Sequence, residues 1–197
     1  GNGKVLSIVG NTVTINILPD PFSVYDNATF LQTWNIQISN ARGRAVKLVI
    51  ANANDVFVPT GFPKYAQRYS YDGITWEAVP LPLMAYLATG VNSTLSAVVP
   101  ASKYNTVWLS YSGVYSVDRH TRYLGKLQVA PSVQPVTVTQ IGASWQGRSI
   151  DLVQIGHYTG ESVKIWVTGR IHPGETHGST WIEGLLDRLV LDADEAS

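Results

Sequence analysis

The chain has 197 residues, 45% of them hydrophobic, with 6 Trp and 10 Tyr, so it can bury a core and does not have a disordered composition. Fourteen basic residues balance fourteen acidic ones, which gives no basis for attraction to nucleic acid or to an anionic membrane surface. With no cysteine there can be no disulfide, thiolate metal site or cysteine nucleophile, and no run of about 18 apolar residues forms a spanning helix.

From the N-terminus to about residue 115 the pattern is that of strands. Val13, Ile15 and Ile17 alternate with polar residues, as do Trp34, Ile36 and Ile38, then Val46, Leu48 and Ile50. A period of two puts each set on one face of a strand. Asn40 to Gly43, Asp72-Gly73, Thr89-Gly90 and Ser112-Gly113 are turn signals between such runs. Asp72-Gly73 predicts a hairpin between Tyr69–Tyr71 and Trp76–Val79. The Trp and Tyr residues of this region, spread over separate strands, read as core rather than as a sugar-binding platform. Short strands with turns between them predict an antiparallel β-sandwich.

The character changes after residue 115. Ser116 can cap a short helix running toward Leu127, with Tyr123, Leu124 and Leu127 on its apolar side. Pro131 and Pro135 then break any regular element. The domain boundary falls in this passage, giving a β-sandwich over residues 1–120 and an α/β segment over 121–197. His120, in the linking helix, reads as a surface or interdomain residue, and His157 as a turn residue.

The last region reads strand, strand, strand, helix. Val136–Ile141 and Ile150–Ile155 flank a turn at Gly147-Arg148; Val163, Ile165 and Val167 alternate as a third strand, with Trp166 opposite. A helix is predicted from about Thr176 to Val190, its apolar residues being Trp181, Ile182, Leu185, Leu186 and Leu189. Trp181 is expected in the core. Three strands and one helix open an α/β domain without completing it, so the chain reads as a fragment, a processed product or one of two pieces.

Between the third strand and this helix lies Gly169-Arg170-Ile-His172-Pro-Gly-Glu175-Thr-His177-Gly-Ser-Thr-Trp181. In open α/β sheets ligands bind beyond the carboxyl ends of strands. Pro173-Gly174 can turn the backbone so that His172 and Glu175 converge, and imidazole nitrogen and carboxylate oxygen both suit zinc. On spacing alone the pair fits either metal ligation or a hydrogen-bonded histidine at a strand end.

The stretch His172-Pro-Gly-Glu175-Thr, with Gly-Ser-x-Trp181 and Glu183-Gly-Leu-Leu after it, resembles the cytosolic carboxypeptidase branch of the M14 zinc metallocarboxypeptidases. Gly147-Arg148-x-Ile-Asp-Leu and Val163-Lys-Ile-Trp-Val resemble the strands that lead to the metal in that family. Tyr69-Ser-Tyr-Asp72-Gly73-x-x-Trp76 resembles its N-terminal β domain, and Tyr111 to His120 the passage between the two.

The resemblance implies a β-sandwich followed by the first strands and helix of a zinc-carboxypeptidase domain. It implies Zn2+ as cofactor, with His172 and Glu175 as two metal ligands. His177 and Arg170 are candidates to line the site or to hydrogen-bond to the groups that hold the metal. The third ligand, the carboxylate-binding arginines and the general base lie downstream in the family, so no catalytic residue is expected within this chain. The implied activity is zinc-dependent release of the C-terminal residue of a peptide or protein, with preference for an acidic residue as one family variant. This chain would supply part of the metal site and be inactive by itself. The implied partners are the rest of the catalytic domain and a peptide C-terminus, with neither nucleic acid nor membrane, in the cytoplasm. The rival reading is a non-catalytic β-sandwich interaction module with a truncated catalytic remnant.

Overall fold

The computed structural model describes residues 2–19, 31–56, 59–89, 93–132, 134–160 and 163–191. The chain divides into two compact units, Gly1–Val114 and Tyr115–Ser197.

The first unit is built from two sheets. One contains β1 (Gly3–Val9), β2 (Thr12–Ile17), β4 (Val46–Ile50), β7 (Met84–Leu87) and β8 (Thr94–Val99), in the order β1-β2-β4-β8-β7. The other contains β3 (Asn35–Ser39), β5 (Arg68–Ser70), β6 (Glu77–Ala78) and β9 (Thr106–Ser110), in the order β3-β9-β5-β6. The alternation seen in the sequence is the alternation of burial. Val13, Ile15 and Ile17 of β2, Val46, Leu48 and Ile50 of β4, and Leu95, Ala97 and Val99 of β8 all point into the core. Val107 and Leu109 of β9 enter the same core from the other sheet, and Trp34 and Phe62 belong to it as well. Each fully buried Ile or Leu contributes about 1.5–3 kcal/mol of transfer free energy, so this shared interior holds the sandwich together.

One ladder departs from the antiparallel expectation: β2 and β4 run parallel, from Thr12 opposite Lys47 to Ile15 opposite Ile50. The reason is topological. The intervening β3 belongs to the other sheet, and this crossover brings the chain back in its original direction, which a tight hairpin cannot do. The Asp72-Gly73 turn does lie between β5 and β6. Gly73 has φ 75°, and the Asp72 carboxylate accepts from the Ile74 and Thr75 amides at 2.8 and 2.7 Å. Gly90, of the turn predicted at Thr89-Gly90, lies outside the described residues.

The second unit begins with α1 (Val117–Val129), capped by Ser116, whose hydroxyl accepts from the Arg119 amide at 3.1 Å. β10 (Val136–Ala143) and β11 (Ser149–Ile155) form an antiparallel hairpin whose turn carries Gly147 at φ 73°. Arg148 closes that turn, donating its amide to the Ser144 hydroxyl at 3.1 Å. α2 (Thr176–Leu186) continues as a wider π-helical turn through Asp187–Leu191. Leu124 and Leu127 of α1 meet Leu186 and Val190, with Val136, Val138, Val153 and Ile155 of the hairpin packed alongside.

The strand predicted at 163–167 is a correction. Among the described residues the segment pairs with no strand, and Val163, Ile165 and Trp166 are 91%, 85% and 70% exposed. A strand exists only as part of a ladder, and alternation cannot supply the neighbour. Among the described residues, no helix is long and apolar enough to cross a membrane.

Candidate functional site

The segment from Gly169 to Trp181 is shaped by two close approaches. A Cβ on Gly178 would sit 2.9 Å from the Arg170 backbone nitrogen. One on Gly169 would sit 2.7 Å from Ile182 and 3.1 Å from the Gly178 carbonyl oxygen. Only glycine lets the incoming segment touch the first turn of α2 this closely. Arg170 then takes φ 54°, a left-handed conformation rare outside glycine. The chain folds back through Pro173-Gly174, the Glu175 amide donates to the His172 carbonyl at 3.1 Å, and the Gly178 amide donates to the Glu175 carbonyl at 3.0 Å. Glu175 occupies the N-cap position of α2.

This turn brings His172 and Glu175 together, with Nδ1 and Oε2 3.1 Å apart. Their side chains are 75% and 52% exposed. Arg170, His172, Glu175, His177 and Trp181 line one open concavity of about 340 Å³. Arg170 donates from Nε to the Pro173 carbonyl at 3.1 Å and from Nη1 to the Tyr115 carbonyl at 3.0 Å. Burial lowers the pKa of its guanidinium below the usual arginine value. Trp181, expected in the core, is instead 61% exposed on the wall of this concavity. On α2 it is Glu183 and Leu186 that turn inward, because the helix packs its other face on α1 and the hairpin.

The expectation of a zinc-dependent carboxypeptidase to which this chain supplies two metal ligands is corrected by the same geometry. Among the described residues no group of three or more His, Cys, Asp or Glu side chains is placed to hold a metal ion. His172 and Glu175 are instead each other's hydrogen-bond partners. His177 shares the concavity but completes no such group. A catalytic zinc needs three protein ligands, so the residues present do not by themselves fit the ion.

Behind the concavity lies a polar network that sequence reasoning missed. Glu183, 8% exposed, accepts from Arg119 Nε at 3.1 Å on both carboxylate oxygens, and also from Arg119 Nη2. That hydrogen bonding raises the Arg119 pKa. The Tyr123 hydroxyl donates to the Glu183 carbonyl at 2.8 Å and to Asp187 Oδ1 at 3.0 Å. Burial raises the Tyr115 phenol, aided by the charge of Glu183, and burial also raises Tyr123, aided by its bond to Asp187. His120 ties α1 to β11 through Asp151 at 3.0 Å. The available signal was a glutamate on the buried phase of an apolar helix, since buried carboxylates are paired.

Comparison with known proteins places these features. Residues 1–111 match the family described as the cytosolic carboxypeptidase N-terminal domain, and residues 121–197 match the zinc carboxypeptidase family. An uncharacterized protein of Zymomonas mobilis is 27% identical over all 197 residues, and the match covers 47% of its length. Cytosolic carboxypeptidase 6 of Mus musculus is 35% identical over 86 residues, which is 41% of this chain and 16% of that protein. The crystal structure of a metallo-carboxypeptidase from Burkholderia cenocepacia superposes with a TM-score of 0.80 at 26% identity, covering 96% of this chain and 46% of that one. The chain thus spans about half the length of the full-length relative and of the solved structure. With a β-sheet domain followed by strand and helix elements of a catalytic domain, the chain belongs to the M14 zinc-carboxypeptidase family, in its cytosolic-carboxypeptidase-like branch, of which it carries the N-terminal part.

Proposed function

We propose that this chain is the front part of a hydrolase of the carboxypeptidase class, and that the concavity at 168–181 is one wall of its cleft. The observation that carries this reading is the gathering of Arg170, His172, Glu175 and His177 around one opening at the start of α2, in a chain of zinc-carboxypeptidase family. In this reading His172 and Glu175 face the substrate as a hydrogen-bonding pair, and Trp181 gives the wall an apolar surface. No step is assigned to a metal, because the described residues do not complete a site for one.

The remaining machinery belongs to protein outside residues 1–197. The exposed apolar segment Val163–Val167 supports this, since it offers a surface for a further part of the domain to cover. We assign the protein to the cytoplasm on the strength of the names of its relatives, with a peptide or protein as substrate.

The test is amino-acid release from a peptide panel by the full-length protein and by residues 1–197 alone. The full-length protein releases amino acid, residues 1–197 do not, and Glu175→Gln or His172→Ala lowers kcat/KM at least about tenfold. No release from any peptide by the full-length protein, or undiminished rates in both variants, overturns the reading.

A further inference from the structure

We infer that Arg170 is the positioning residue of the candidate site: its guanidinium clamps the turn carrying His172 and Glu175 to the entrance of α1. The inference rests on the reading of 168–181 as a cleft wall and adds what holds that wall in shape.

Three observations converge on it. First, Arg170 sits at φ 54°, a conformation that costs about 1 kcal/mol or more for a residue with a Cβ and persists where surrounding contacts impose it. The Gly178 contact imposes it from the backbone side, pressing the first turn of α2 against the Arg170 nitrogen.

Second, the guanidinium spans two carbonyls that nothing in the local sequence would bring together. Pro173, at 3.1 Å from Nε, lies between His172 and Glu175. Tyr115, at 3.0 Å from Nη1, lies 55 residues earlier. The planar fork of arginine can hold both at once, whereas a lysine ammonium is a single point on a flexible stem.

Third, the anchor is itself fixed. Tyr115 is buried, and the Arg119 guanidinium, itself hydrogen-bonded to Glu183, lies 5.1 Å from the centre of its ring. Glu183 belongs to α2, the helix that starts at Glu175. The links therefore close a ring: from the His172–Glu175 turn through Arg170 to Tyr115, through Arg119 and Glu183 to α2, and back to the turn. A ring of this kind fixes the separation of two side chains that are 75% and 52% exposed.

The test uses the full-length protein with Arg170→Met and Arg170→Lys, following amide hydrogen exchange residue by residue. The amides of Glu175 and Gly178, which close the turn, exchange about tenfold faster in Arg170→Met. They fall between wild type and Met in Arg170→Lys, and the β10–β11 amides do not change. On peptide substrate, kcat falls while KM stays within about twofold, because misplaced groups cost the transition state more than the ground state. Unchanged exchange at Glu175 and Gly178, or equal acceleration throughout β10 and β11, overturns the clamp. If wild type releases no amino acid, the proposed hydrolase function fails while the exchange data still decide the clamp.

Discussion

Arg119 and Glu183, 64 positions apart, meet with the arginine Nε 3.1 Å from both carboxylate oxygens, and this joins α1 to α2 directly behind the candidate site. The Glu183 side chain is 11% exposed and that of Arg119 34%. The glutamate is therefore the desolvated partner, and its removal leaves an arginine that can still reach water.

Glu183→Ala is expected to destabilise the second unit by about 2 kcal/mol, the range for losing hydrogen bonds to a charged group. Replacing both partners with apolar residues of similar volume, as in Arg119→Met with Glu183→Leu, should cost less than Glu183→Ala alone. Urea denaturation of the three proteins measures this. A double variant less stable than the single would contradict the assignment.

Two glycines of α2 should respond in opposite directions. Gly178→Ala puts a methyl group 2.9 Å from the Arg170 backbone nitrogen, which must move, at a cost of about 1–3 kcal/mol. Gly184 has open space around its Cβ direction, so Gly184→Ala gains about 0.5–1 kcal/mol of helix propensity. Thermal melts read both signs, and a neutral Gly178→Ala would show the two segments are not in contact.

The 197-residue chain is expected to retain no stoichiometric zinc after dialysis and to melt at the same temperature with and without chelator, since two donors do not make a zinc site. Metal analysis and calorimetry decide it. One equivalent of zinc lost on His172→Ala would refute the expectation.

Tyr69 should be among the last phenols to ionise. Its hydrogen bond to Glu77 Oε2 at 2.7 Å, then burial and the Glu77 charge, pushes it up to about 12. The folded value is raised, so its contribution to stability is complete below the ordinary tyrosine value of about 10. It is lost as pH rises through about 12. Spectrophotometric titration at high pH should show one phenol moving toward 10 in Glu77→Ala. Superimposable curves for the two proteins would contradict the pairing.

The sequence by itself determined the strands whose apolar residues alternate, the helices with a cap or a long apolar stripe, and the place of the segment that lines the concavity. Val13-Ile15-Ile17, Val46-Leu48-Ile50 and Ser116 are legible because period and capping are local properties of the chain. The strand β1 was not legible: Val5, Leu6, Ile8 and Val9 are all exposed and show no alternation. Tertiary structure alone decided the rest. The parallel pairing of β2 with β4, the unpaired state of 163–167, the exposure of Trp181 and the Arg119–Glu183 and Arg170–Tyr115 links all depend on which distant segments come to lie side by side. The spacing of His172 and Glu175 marked a place for chemistry, but whether two side chains ligate an ion or each other is set by how many further donors converge on them, and that is a property of three-dimensional packing.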